Sequence, residues 1–105
     1  MGEFHNIAAE GDLESLVAAE DAVIVDFHAD WCGPCVAMEA FLEEIEDGTE
    51  AAIATIDTEA HKNLPETFDV STLPTLLFYR DGELVHRYAG LPERHEFRDM
   101  VAEYT

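Results

Sequence analysis

The chain has 105 residues, 48% hydrophobic and 10% aromatic, with 24 Asp and Glu against 5 Lys and Arg, a formal net charge of −19. A chain this long buries about 65% of its unfolded surface, so it makes one small domain with a core, spanning residues 1–105, and is no disordered acidic tail. The charge argues against nucleic acid and anionic membrane as partners, and no apolar stretch approaches the length of a membrane span.

Taken in order, Phe4 to Ile7 reads as a short edge strand, and Gly11-Asp12 introduces a helix with Leu13, Leu16 and Val17 at core spacing and Asp12 as its cap. Ala22 to Phe27 is a continuous apolar run too hydrophobic for a wet face, so it predicts a central strand with Asp26 inside it. A helix follows from Pro34 to Asp47, apolar at Met38, Phe41, Leu42 and Ile45 and stopped by Gly48. Its last turn carries Glu44, Glu46 and Asp47, the wrong sign for a helix C-terminus. Ala51 to Asp57 predicts a second buried strand, completing a βαβ unit, and a short helical or irregular piece leads to Val70. Leu76 to Arg80 and Glu83 to Ala89 flank Asp81-Gly82, a two-residue hairpin signal. Gly90-Leu91-Pro92 then starts a last helix that buries Phe97, Met100, Val101 and Tyr104.

The only two cysteines stand in Trp31-Cys32-Gly33-Pro34-Cys35, between the apolar strand and the following helix. A helix start presents unpaired N–H groups and the positive end of the dipole, which stabilise a thiolate, the form that attacks disulfides. Cys32 is the candidate nucleophile. Cys35, one turn deeper, would resolve the mixed disulfide intramolecularly. Gly33 permits the tight turn, and Pro34 supplies a helical φ where a missing N–H is harmless. A zinc half-site would need two further ligands, and neither a second Cys pair nor a ligand spacing among His5, His28, His61, His86 and His95 supplies them. A structural disulfide would close too short a loop to restrict the unfolded chain much. The start Met1-Gly2-Glu3-Phe4-His5 lacks a basic segment and an apolar run, which predicts a cytoplasmic protein, where such a pair cycles rather than staples.

The run from Val25 through Cys35, with Leu73-Pro74-Thr75, Asp81-Gly82 and Gly90 further on, resembles the thioredoxin family over nearly the whole chain. The resemblance implies an α/β thioredoxin fold, a central mixed sheet flanked by helices in three α/β/α layers, and a cis peptide at Leu73-Pro74. It implies a monomeric protein-disulfide reductase with no bound cofactor, cycling a Cys32–Cys35 disulfide on electrons from NADPH or ferredoxin. Its partners would be a separate thioredoxin reductase and disulfide-containing client proteins. Cys32 attacks, Cys35 resolves, and Asp26 is the buried acid/base serving Cys35. Trp31, Gly33, Leu73, Pro74, Ala89 and Gly90 line a substrate groove in which the Leu73 backbone pairs with an extended peptide. Physical reasoning agrees on Asp26, since a carboxyl in a dry strand has a raised pKa and acts as a base near neutrality, unless a neighbouring hydroxyl or backbone group satisfies it.

His28 stands where the family mostly has Trp, Val36 where Lys or Arg is common, and the strand from Ala51 to Ile56 lacks the Lys often found beside the buried Asp. With fewer cations the thiolate is less favoured and Asp26 more readily protonated. His28 shares strand parity with Asp26 and, turned toward the site, would tune it; otherwise it is a surface or packing residue. The acid excess, spread over the whole chain, reads as adaptation to a salty interior of halophilic type rather than as a surface for a basic partner. A redox-inert scaffold using the same groove and a disulfide-forming oxidase are the competing functions. The intact cysteines, Asp26 and Pro74 argue against the first. Gly-Pro between the cysteines argues against the second, because the disulfide-forming relatives usually carry a His there.

Overall fold

The structure is a computed structural model describing residues 4–105. Among the described residues the chain forms β1 (Phe4–Asn6), α1 (Glu10–Ala19), β2 (Ala22–His28), α2 (Gly33–Glu46), β3 (Ala52–Asp57), α3 (Asn63–Thr67), β4 (Thr75–Arg80), β5 (Glu83–Ala89) and α4 (Arg94–Tyr104). The sheet order is β1-β3-β2-β4-β5. The first three neighbours run parallel, and β4 and β5 are antiparallel to their partners. β2 is the middle strand, as its unbroken apolar run requires: both of its faces must be covered.

Strand alternation sorts that run into two cores. Val23, Val25 and Phe27 pack with Leu13 of α1 and Leu64 of α3. Ala22 and Ile24 pack on the opposite face with Met38 and Leu42 of α2 and with Phe97 and Met100 of α4. The result is the three-layer α/β/α arrangement expected from the sequence. Asp26 and His28 share the face of Ile24, the α2 side.

Two helix starts differ from their sequence signals. α1 begins at Glu10 with Ala9 as N-cap, so Asp12 lies inside the first turn and caps nothing; its carboxylate still meets the positive end of the dipole. α4 begins at Arg94 rather than at Pro92, because Glu93 and Glu96 form a reciprocal capping box that fixes the start after the proline. The hairpin is as the sequence predicts: Asp81 at φ 53° and Gly82 at φ 85° both occupy the left-handed region required by a primed turn.

The acidic end of α2 finds cations across the fold. Arg94 Nε of α4 donates to Glu44 Oε1 and Oε2 at 3.0 and 3.2 Å, and Arg98 donates to Oε1 at 3.3 Å. The Arg94 guanidinium also lies 5.3 Å from the centroid of the Phe41 ring. Two of the chain's five basic side chains thus clamp α2 to α4, which offsets the unfavourable dipole contact at Glu44.

Candidate functional site

The strand β2 delivers the chain to the surface at His28, whose carbonyl accepts from the N–H of Thr58 at 2.9 Å and from its hydroxyl at 3.0 Å. Three buried or exposed steps later, Ala29, Asp30 and Trp31 turn the chain into α2. Cys32 is the N-cap of that helix, with Gly33 and Pro34 in the first turn, and Cys32 Sγ accepts from the N–H of Cys35 at 3.2 Å. No acidic residue occupies the first turn of α2, so nothing there opposes the positive end of the dipole that Sγ faces. Cys32 and Cys35 are joined as a disulfide with their Cα atoms 5.3 Å apart.

Both cysteines are buried in this oxidised state and pack with Ala29 and the half-buried Leu73. Trp31 stands 69% exposed beside them, and Val36 on the next turn is 67% exposed, an apolar surface around the sulfurs that a folded monomer does not itself cover. The Leu73–Pro74 peptide is cis, and the Pro74 carbonyl accepts from the N–H of Gly90 at 2.7 Å. That bond joins the start of β4 to the end of β5, so Leu73, Pro74, Ala89 and Gly90 sit together. Leu73 itself lies outside the strand ladder, which begins at Thr75.

Asp26 is 2% exposed, and its Oδ1 has no hydrogen-bond partner. Neither a hydroxyl nor a backbone group satisfies that oxygen. Burial pushes the carboxyl up from 3.8 to about 7, with a further upward push from the charge of Glu39 on α2. A cleft of about 440 Å³ opens behind the disulfide, and Asp26, His28, Cys35 and Glu39 line it while Cys32 does not. The two sulfurs are therefore inequivalent: Cys32 has the helix N-terminus, and Cys35 shares a cleft with a carboxyl that titrates near neutrality.

Sequence reasoning missed Glu39, Asp30 and Asp57 as part of this surrounding. Glu39 was recoverable, being four residues after Cys35 and so on the same face of α2. Asp57 was not, because its position beside His28 depends on the register of β2 with β3. Among the described residues, no group of three or more His, Cys, Asp or Glu side chains is arranged to hold a metal ion.

A sulfur pair that can be opened from a helix start and resolved beside a proton acceptor defines a thiol–disulfide oxidoreductase. The comparisons with known proteins carry this further. The thioredoxin family model matches residues 5–103. A thioredoxin of Listeria monocytogenes is 35% identical over 89 residues, covering 83% of this chain and 86% of that protein. A mutant thioredoxin from Halobacterium salinarum NRC-1 superposes with a TM-score of 0.90 at 34% identity, covering 98% of this chain and 91% of that one. Reduced Schistosoma mansoni thioredoxin pre-protein superposes at 0.88 with 26% identity over the whole of both chains. The chain belongs to the thioredoxin family, and its activity is protein-disulfide reduction through a redox-active disulfide. No helix among the described residues is long and apolar enough to cross a membrane.

Proposed function

We propose that residues 1–105 act as a single, monomeric, cytoplasmic domain that reduces client disulfides in a concentrated-salt medium, with Cys32 as nucleophile, Cys35 as resolving thiol and Asp26 as the acid/base serving Cys35. The observation that carries this reading is the inequivalence of the two sulfurs: one at a helix N-terminus, the other on the cleft with an unpartnered buried carboxyl. In the reduced form Cys32 thiolate attacks a client disulfide, giving a mixed disulfide and a client thiolate. Cys35 loses its proton to Asp26 and attacks Cys32 Sγ, and the second client sulfur departs with the electron pair of the broken bond. The protein's dithiol is oxidised by two electrons and the client is reduced by two. A separate thioredoxin reductase, drawing on NADPH or ferredoxin, returns the disulfide to the dithiol.

Clients meet the apolar surface made by Trp31, Gly33, Leu73, Pro74, Ala89 and Gly90, with Leu73 offering its backbone to an extended segment. Solvent-facing acids, of which Glu44 and Asp81 reach an arginine among the described residues, support the salt-adapted reading, and the likeness to a protein of Halobacterium salinarum, a halophile, agrees with it. A dithiothreitol-coupled reduction assay on a disulfide protein in concentrated KCl tests the assignment. Cys32→Ser should abolish turnover, and Cys35→Ser should strand the client as a mixed disulfide on Cys32. Trapping through Cys35 would reverse the roles, and an unsubstituted protein that does not accelerate the reduction would favour the redox-inert scaffold reading of the fold.

A further inference from the structure

The cleft behind the disulfide contains a titratable side chain that the dithiol cycle leaves unused. Asp26 and His28 are alternate residues of β2, project from the same face of the sheet and line the same cleft of about 440 Å³, which Cys35 also lines. Alternate residues of a strand have Cα atoms about 6.6 Å apart, and a cleft of this size has room for water between the side chains they carry. Asp26 is 2% exposed, whereas His28 is half-buried. The hydrogen bonds from Thr58 to the His28 carbonyl hold the end of β2 in place.

The other ionisable groups around His28 are acids and a thiol. Asp57 is its in-register neighbour on β3, Asp30 is in the loop before α2, and Glu39 and Cys35 face it from α2. β1 contributes Phe4 and Asn6, which carry no charge. An imidazole receives at one nitrogen while releasing from the other, and it does so in the pH range where a dithiol reductase works.

We propose that His28 is the proton relay between Asp26 and bulk solvent, a positioning residue that acts through Asp26 rather than on the sulfurs. The inference rests on the Asp26 role given above. When Cys35 attacks Cys32 Sγ, the Cys35 proton passes to the Asp26 carboxylate, the bond between Cys32 and the client breaks, and its electron pair leaves on the client sulfur. The proton held by Asp26 then moves through bridging water to one nitrogen of His28 as the other releases a proton to solvent. Asp26 is a carboxylate again before the next cycle.

Steady-state reduction of a disulfide protein by the full-length chain with excess dithiothreitol in concentrated KCl tests this, because only repeated cycles need Asp26 returned to the carboxylate. His28→Gln should slow the reaction roughly three- to ten-fold near neutrality, and free imidazole in the buffer should restore the rate in proportion to its concentration, as expected for a missing acid–base group. The unsubstituted protein should be indifferent to imidazole. His28→Asn, a smaller neutral amide, should behave the same and guards against a local disturbance by Gln. A His28→Gln rate and pH profile equal to those of the unsubstituted protein would overturn the relay, and so would a slow variant that imidazole does not rescue. Asp26→Asn in the same assay separates the two layers. If it is slow while His28→Gln is normal, only the relay fails; if it is as fast as the unsubstituted protein, the Asp26 role itself is wrong.

Discussion

Asp26 and Glu43 carry the same functional group in two different media. Asp26 lies in the middle strand, 2% exposed, where desolvation holds its proton to about pH 7. Glu43 is exposed on the outer face of α2, one turn from Glu39 and from Glu46 and Asp47. For the first the governing energy is the loss of water; for the second it is repulsion by like charges one helical turn away. Asp26 is the one buried carboxylate among the described residues, so nearly all of the acid excess belongs to the second class. The two classes answer to different variables. Salt screens the surface and barely touches a charge in a dry strand, whereas pH near neutrality titrates Asp26 and leaves ordinary surface acids ionised.

The sharpest way to break this division is to remove salt. The repulsion acts over about 10 Å at 0.1 M and about 3 Å at 1 M, and the fold's radius of gyration is 12.3 Å. Diluting KCl from about 2 M to about 0.1 M near pH 7 should therefore lower Tm by on the order of 20 °C, several kcal/mol at about 4–8 °C per kcal/mol. Lowering the pH to about 4.5 at low salt should recover part of that loss by neutralising surface acids, which salt exclusion from apolar surface would not do. Thermal melts read by circular dichroism check both arms. A flat Tm would mean that the acidic surface serves a basic partner instead.

Asp26→Asn sharpens the comparison from the other side. Because the folded pKa of about 7 lies above the ordinary carboxyl value of 3.8, the native state binds a proton that the unfolded chain has released, and stability falls as pH climbs from about 4 to about 7. The neutral amide escapes this penalty. In concentrated KCl the variant should match the unsubstituted protein near pH 4 and exceed it by on the order of a few kcal/mol above pH 7, as denaturant midpoints would show. An equal difference at both pH values would mean that Asp26 is not an uncompensated buried acid.

The smallest effects distinguish acids within the surface class. Glu44 receives Arg94 and Arg98, whereas no such partner among the described residues meets Glu43. Glu44→Gln should destabilise by about 0.5 kcal/mol in dilute buffer and Glu43→Gln should stabilise by a similar amount. Both differences should vanish above about 1 M KCl. Opposite signs at neighbouring positions, measured by urea unfolding, would separate local pairing from net charge.

The legibility of these features in the sequence follows the range of the forces behind them. β2, β5 and the hairpin were readable because a continuous apolar run and an Asp-Gly pair act within a few residues, and the thioredoxin resemblance rested on contiguous motifs. The helix starts were less so. Asp12 looked like a cap but lost to Ala9, and Glu93 was overlooked because Glu is not among the usual capping residues, although Glu96 three positions on completes the box. The clamp on Glu44 and the place of Asp57 beside the cleft were invisible. They come from α4 and β3, elements brought beside α2 and β2 only by the tertiary register.

The most direct test of the central claim, that a buried carboxyl serves Cys35, is the pH dependence of single-turnover disulfide reduction in concentrated KCl for the unsubstituted protein and Asp26→Asn. The rate of resolution should rise with pH through about 7 as Asp26 becomes a base, and the variant should lack that rise while still attacking through Cys32. Superimposable profiles for the two proteins would contradict the account.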